Sequence, residues 1–243
     1  MMRVIIMLLA LLSHAAHAAP DPDAIVRAAD AARGGGLPGI QWQVLVQARD
    51  GDKLTEQRLA IKADGDNALV EYLAPRELAD QKLLMVGRNM WFIREGLRRP
   101  VPISPRQRLL GEAANGDVAA TNYAADYQAE LVGEEELDGQ RSYRLILSAR
   151  HNQVTYPRIE YWVAVDSGLA LRAEFYTVSG RAFKAARFEY GNQIDYEGQR
   201  LAFVSRMAIE DRVNPGRVTT LRYSDVEAVR LPRRTFDLNA LVR

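Results

Sequence analysis

LLMVGRNMWFIREGLRRPVPISPRQRLLGEAANGDVAATNY, from Leu83 to Tyr123, interrupts the strand-like alternation on either side of it. Its first half holds two apolar runs, Leu83-Leu84-Met85-Val86 and Met90-Trp91-Phe92-Ile93, split by Gly87-Arg88-Asn89. That pattern predicts two antiparallel strands joined by a tight turn. Neither run alternates, so both read as strands covered on two faces or facing a dry interior. Pro100 and Pro102 lack ladder donors and predict an end to strand pairing there. Ser104-Pro105 predicts a capped short helix from Pro105 to about Ala114, with Leu109 and Leu110 as its apolar contact.

Outward from this stretch the chain reads as strand after strand. Asp21 to Ala32 is an alanine-rich helix candidate ended by Gly34-Gly35-Gly36. Trp42, Val44, Val46 and Ala48 then alternate with glutamines and Leu45, giving a strand with one apolar face. Asp50-Gly51-Asp52 and Asp64-Gly65-Asp66-Asn67 are hairpin turns around strands at 56–63 and 68–73. Further strands are expected at 127–132, 141–149, 158–165, 169–178, 182–190, 200–211 and 217–226, with an acidic connection from Gly133 to Gly139 and an irregular tail from Leu231. In the 158–178 hairpin the turn at Asp166-Ser167-Gly168 places Ile159, Tyr161 and Val163 on one face with Leu171, Ala173 and Phe175. About ten or eleven strands, turns every 8 to 12 residues and few helices define a mainly β (α+β) fold. The simplest architecture is one strongly curved antiparallel sheet with short helices over its concave side. A closed lipocalin-like barrel fits the same pattern.

The address is written at the N-terminus. Arg3, an apolar run from Val4 to Leu12 and Ala16-His17-Ala18 form the layout of a cleaved secretory signal over residues 1–18. The run is too short to span a bilayer, and the chain has no cysteine to carry a lipid or a disulfide. A periplasmic protein without stable membrane insertion is expected. Removal of 18 of the 243 residues leaves 225, enough for a single domain over residues 19–243. It also removes Arg3 from 32 basic residues, leaving 31 against 31 acidic ones. A balanced charge provides no global field for nucleic acid. Arg98-Arg99 and Arg233-Arg234 are short local clusters.

Chemistry-bearing constellations are sparse. His151 is the single histidine after the signal and reads as a loop residue. The chain has no cysteine nucleophile, Gly-x-Ser-x-Gly elbow, phosphate loop or histidine pair at metal spacing. The three adjacent acids Glu134 to Glu136 lack the alternation of a calcium loop. Neither an enzyme nor a metal or organic cofactor is expected.

Several segments carry a resemblance. Val86-Gly-Arg-Asn-Met-Trp-Phe-Ile-Arg-Glu-Gly-Leu-Arg-Arg-Pro, then Leu131-Val-Gly-Glu-Glu-Glu-Leu-Asp-Gly, Tyr161-Trp-Val-Ala-Val-Asp, Arg172-Ala-Glu-Phe-Tyr and Thr219-Thr-Leu-Arg-Tyr-Ser-Asp-Val occur in the order and spacing of a known family. The chain from about Trp42 onward resembles the LolA-like periplasmic proteins of outer-membrane lipoprotein sorting. It departs from their Gly-Ser-Asp-Phe-x-Tyr-x-Asp segment, where it has Gly111-Glu-Ala-Ala-Asn-Gly-Asp-Val-Ala-Ala-Thr-Asn-Tyr. The resemblance implies an incomplete β-barrel with a helical lid over an apolar cavity. It implies a periplasmic carrier or chaperone for a lipid or lipoprotein acyl chain, with an inner-membrane exporter or transporter as a candidate partner. Trp42, Met85, Trp91, Phe92, Leu109, Leu110, Phe175 and Met207 are the large apolar candidates for the cavity or lid, and equally natural core residues. The alternative function is a non-enzymatic interaction module serving an envelope exporter.

Overall fold

The computed structural model describes residues 20–242; the signal-peptide reading and its cleavage after Ala18 lie outside the described residues. The chain opens with α1 (Pro22–Ala31), capped by the Asp21 carboxylate accepting from the Asp23 amide at 3.0 Å. Strands β1 (Ile40–Asp50), β2 (Lys53–Asp64), β3 (Asn67–Ala74), β4 (Gln81–Val86), β5 (Asn89–Arg94) and β6 (Val101–Ile103) follow as a meander. A small hairpin, β7 (Arg108–Leu110) and β8 (Ala113–Ala114), leads to the single turns α2 (Gly116–Ala119) and α3 (Tyr123–Asp126). The second meander contains β9 (Tyr127–Leu137), β10 (Gln140–Ala149), β11 (Arg158–Ala164), β12 (Ala170–Tyr176) and β13 (Ala182–Glu189). A separate hairpin, β14 (Asn192–Tyr196) and β15 (Gln199–Phe203), precedes β16 (Arg206–Asp211), β17 (Val218–Ala228) and the tail helix α4 (Leu238–Leu241).

Thirteen strands form one antiparallel sheet in the order β6-β5-β4-β3-β2-β1-β17-β16-β13-β12-β11-β10-β9. The two meanders are therefore joined by β17 pairing back onto β1, with Val46 opposite Leu221 and Ala48 opposite Thr219. The sheet is curved and does not close: β6 and β9 remain its edges. Across that gap the 104–126 segment and the 150–157 loop run side by side, tied by Arg106 Nε donating to the Val154 carbonyl at 2.9 Å. The fold is thus an incomplete barrel, and the closed alternative is ruled out by these unpaired edges.

Alternation decides which face is which. Trp42, Val44 and Val46 of β1 stand opposite Ile61, Leu59 and Gln57 of β2, and the same face continues through Val70, Leu83, Leu221, Met207, Ala186, Ala173, Tyr161 and Leu145. This concave face, α1 and the 113–123 segment form one core. A second, smaller cluster of Leu69, Leu84, Ile93 and Phe236 lies on the convex face, where the tail covers the first meander.

Five expectations are corrected. The segment from Pro105 to Ala114 is a hairpin: Ser104 Oγ accepts from the Arg106 amide, but Gly111 turns the chain at φ 55° where its Cα approaches Ala48 and Thr219. The cap signal is spent on one turn because tertiary contact outweighs a weak local preference. Pro102 lies inside β6, opposite Trp91, which is tolerated because β6 is an edge. Gly133 to Leu137 extends β9, and the turn is the pair Asp138-Gly139, both at positive φ, which matches strand twist. The 200–211 run is two strands, broken at Val204-Ser205 where Ser205 binds the β13 end. In the 158–176 hairpin a bulge after Trp162 brings Ala170, not Leu171, opposite Val163.

Candidate functional site

The concave face is an extended apolar surface that the sheet turns inward, covered in part by the segment after β7. Between Gly111 and Tyr123 the buried apolar side chains are Ala113, Ala114, Val118, Ala119 and Ala120 before Tyr123 itself. Small residues allow close approach: a Cβ on Gly116 would stand 1.9 Å from Thr155 Oγ1, and one on Gly111 2.5 Å from Ala48 Cβ. The cover is held by polar contacts. Glu112 N donates to Thr219 Oγ1 at 2.8 Å, and the Ala114 amide donates to Asp117 Oδ2 at 2.8 Å. Tyr156 Oη donates to the same buried Asp117 carboxylate at 2.9 Å. Burial raises the Asp117 pKa, and raises that of Tyr156 well above the usual phenol value.

A second clasp joins the cover to α1. Asp30 and Arg33 are both buried, 3.0 Å apart. The other Asp30 oxygen accepts from the Ala124 amide at 2.8 Å, and Arg33 Nη2 donates to the Thr121 carbonyl at 3.3 Å. The guanidinium stands over the Tyr123 ring at 4.3 Å and the Phe188 ring at 5.3 Å. Loss of hydration pushes the Asp30 carboxyl up to about 7, with Arg33 offsetting part of the rise. These groups were not singled out by sequence reasoning. The available signal was helical spacing, because Asp30 lies four residues after the buried Val26, on the face of α1 that turns inward.

Two depressions border the cover. One of about 440 Å³ lies between the 65–67 and 87–89 turns and the 119–126 segment; Trp42 and Met85 form part of its floor, with Asp66, Arg88, Asn122 and Asp126 on its rim. Its size falls within the roughly 300–1,000 Å³ of small-molecule sites. The other, about 210 Å³, lies at the opposite end of β1, bordered by Leu110, Gly111, Thr55 and Thr219. His151 sits near the first, its Nε2 3.0 Å from Asp126 Oδ1. It is half-buried, not a free loop residue, and burial raises the Asp126 pKa against the pull of the imidazole.

The eight large apolar residues singled out in the sequence divide among these places. Trp42 and Met85 meet in the first depression. Phe92, opposite Leu83, lies half-buried on the concave face. Leu109 and Leu110 sit on β7, and Leu110 borders the second depression. Phe175 and Met207 are fully buried at the centre, where Tyr156 stacks on Phe175 at 3.9 Å. Trp91 lies outside the concave face, bordering a depression with Met90, Pro102 and Gln153. It pairs with Leu84 on the convex face and packs into the tail cluster with Phe236, because Met90 and Phe92 take the inward positions of that strand. Among the described residues no group of three or more histidines and carboxylates could hold a metal ion, and no helix is long and apolar enough to cross a membrane.

A family model whose description reads "Uncharacterized protein" matches residues 64–243. No curated protein matches the sequence. Solved structures do. A LolA superfamily protein from Nitrosomonas europaea is 31% identical, with a TM-score of 0.82 over 91% of this chain and 99% of that one. A domain from Vibrio parahaemolyticus, described as outer-membrane lipoprotein-sorting, is 19% identical with a TM-score of 0.76 over 91% and 98%. A DUF1329 family protein from Desulfovibrio piger is 22% identical with a TM-score of 0.73 over 91% and 100%. The last two share the fold; the first, at its identity and coverage, also shows the family, and this chain belongs to the LolA superfamily.

Proposed function

We propose that the protein is a non-enzymatic carrier that shelters a lipid or lipoprotein acyl chain against the concave face, beneath the 111–123 cover. The observation that carries this reading is the mismatch between the two surfaces. The sheet presents large aliphatic and aromatic groups, whereas the cover contributes mostly alanine and glycine and is fastened by a few hydrogen bonds. Displacing residues 111–122, with Tyr123 left packed against Tyr127 and Tyr161, therefore loses little apolar burial of their own and uncovers much. Entry beside Trp42 and Met85, or beside Leu110, would lead to Phe92, Phe175 and Met207.

Secretion through cleavage of residues 1–18 and a periplasmic life for a single domain over residues 19–243 belong to the same proposal. So does a role in outer-membrane lipoprotein sorting or lipid transport, which the description of the Vibrio domain supports by analogy of fold. Organic extraction of the protein purified from cells, followed by mass spectrometry, is the direct test. Co-purifying acyl lipid is the expected result. Protein that emerges lipid-free and shows no saturable uptake of a fluorescent fatty acid would overturn it.

A further inference from the structure

One end of the sheet, where β1 turns into β2, collects exposed aliphatic residues. Among the large apolar side chains most exposed in the described residues, Leu54, Val213 and Val178 lie there. Scattered singly, such residues need no explanation; gathered at one rim, they mark a contact surface. The three sit on neighbouring hairpins. The β1–β2 turn adjoins the β16–β17 turn through Arg217 Nε and Asp50 Oδ2 at 3.1 Å. The latter adjoins the β12–β13 turn through Arg212 N donating to the Phe183 carbonyl at 2.9 Å. Val178, at the tip of its turn, is 87% exposed.

The same rim is locally positive although the chain is nearly neutral. Arg49, Lys53, Arg108 and Arg217 border the 210 Å³ depression. The first three make no ion pair among the described residues, nor does Arg181 on the next turn. Of the nearby acids, Asp50 is held by Arg217, Glu112 lies beside Lys184, and Asp211 accepts from the amides of Val213 and Asn214 at 2.7 and 2.9 Å. Asp52, exposed at the turn, offsets one of the cations. Exposed aliphatic tips between unpaired cations match a surface that is apolar below and anionic above.

We infer that this rim docks onto a bilayer of anionic phospholipid, with the aliphatic tips at the headgroup boundary and a lipid phosphate in the depression lined by Arg49, Lys53 and Arg108. Docking turns the β7–β8 hairpin, with Leu110 and Gly111 on the border of that depression, toward the lipid. The attachment is peripheral and salt-sensitive, since such pairs act within a Debye length. It does not depend on acyl carriage, and vesicle binding is read separately from fatty-acid uptake.

The test is co-sedimentation of the full mature chain with phosphatidylglycerol–phosphatidylcholine vesicles and with pure phosphatidylcholine vesicles. Binding to the first, abolished by high salt, and weak binding to the second are expected. Each cation lost should weaken binding about fivefold, the equivalent of about 1 kcal/mol near an anionic surface. Arg49→Glu with Lys53→Glu should therefore lower it by more than about 25-fold. Val178→Asn with Val213→Asn should weaken it several-fold without removing its salt sensitivity. Arg234→Glu, a charge reversal on the tail, should leave it within about twofold. All altered residues are exposed, and circular dichroism checks that the sheet is kept. Equal binding to both vesicle types, no binding to either, or a charge-reversed variant as tight as the parent would overturn the inference.

Discussion

Asp30 accepts a hydrogen bond from Arg33 Nη2 at 3.0 Å with the two side chains only 1% and 5% exposed. An ion pair so deep is costly to desolvate and is worth retaining only where its remaining bonds are satisfied or where it fixes one arrangement over others. Here the pair fixes α1 against the cover, since Asp30 also takes the Ala124 amide and Arg33 reaches the Thr121 carbonyl. Removing Asp30 leaves Arg33 charged and buried, and removing Arg33 leaves the Asp30 carboxyl buried without its cation, so that it must take up a proton. Arg33→Ala or Asp30→Ala, measured by urea unfolding at about pH 8, is expected to cost about 3–5 kcal/mol. The double variant should cost less than the sum of the two, with a coupling of at least about 1 kcal/mol. Strict additivity would show that the two residues act independently.

Acidity gives a second reading of the same pair. Asp30 titrates at about 7 in the folded chain, because burial outweighs the attraction of Arg33, against 3.8 for an unperturbed carboxyl. Between those values the folded state binds the proton and the unfolded state does not. This contribution to stability is therefore full below about 4 and is lost as pH rises through about 7, at up to about 1.4 kcal/mol per pH unit. Asp30→Asn cannot titrate. The stability of the parent relative to Asp30→Asn should fall steadily between about pH 5 and pH 8, and a constant difference across that range would contradict the assignment.

How far the sequence led depends on whether a signal was local. Gly87-Arg88, Gly65-Asp66 and Gly51-Asp52 are two-residue turns whose geometry is written in the residues themselves, and the strands beside them follow as read. The Pro105 helix failed because its start signal was local but its fate was set by Ala48 and Thr219, more than fifty residues away on either side. The pairing of β17 with β1 likewise had no local mark, and neither did the inward direction of Asp117 and Lys184. Trp91 shows the limit of an apolar run. Four consecutive apolar residues say that both faces of a strand are covered but not which residue faces which side, and here the second cover is the tail around Phe236.

Gly111 and Gly87 separate conformational strain from steric contact. Both have positive φ, 55° and 57°. An added Cβ meets nothing within 4 Å at Gly87, whereas at Gly111 it meets Thr219 Oγ1 at 2.3 Å and Ala48 Cβ at 2.5 Å. Gly87→Ala should cost about 1–2 kcal/mol, the left-handed penalty alone. Gly111→Ala should cost a further 1–3 kcal/mol or so for overpacking beneath the cover. Thermal unfolding of the two variants side by side checks the order, and equal midpoints would mean that the cover yields freely at Gly111.

Acyl uptake follows from the same looseness. Each methylene removed from water contributes about 0.8 kcal/mol, so a 16-carbon chain gains on the order of 10 kcal/mol on leaving water for the concave face. A bilayer offers nearly the same gain, so transfer between membrane and protein is close to balanced. The cost of opening the cover then sets both affinity and direction. Apart from Tyr123, which packs edge-on against Tyr127 and Tyr161, the lifted side chains are small, chiefly Ala113, Ala114, Val118, Ala119 and Ala120, so the cost is concentrated at Tyr123 and in the polar clasps at Asp117 and Asp30. Delipidated protein should therefore take up a fluorescent fatty acid saturably. Leu110→Glu, which sets a charge beside the second depression on a half-buried position, should weaken uptake at least about tenfold through its desolvation cost while leaving the far-ultraviolet spectrum unchanged. Uptake by the Glu variant equal to that of the parent would place the entrance at Trp42 and Met85 instead, and a Met85→Glu variant that also binds normally would leave acyl carriage without a route into the fold.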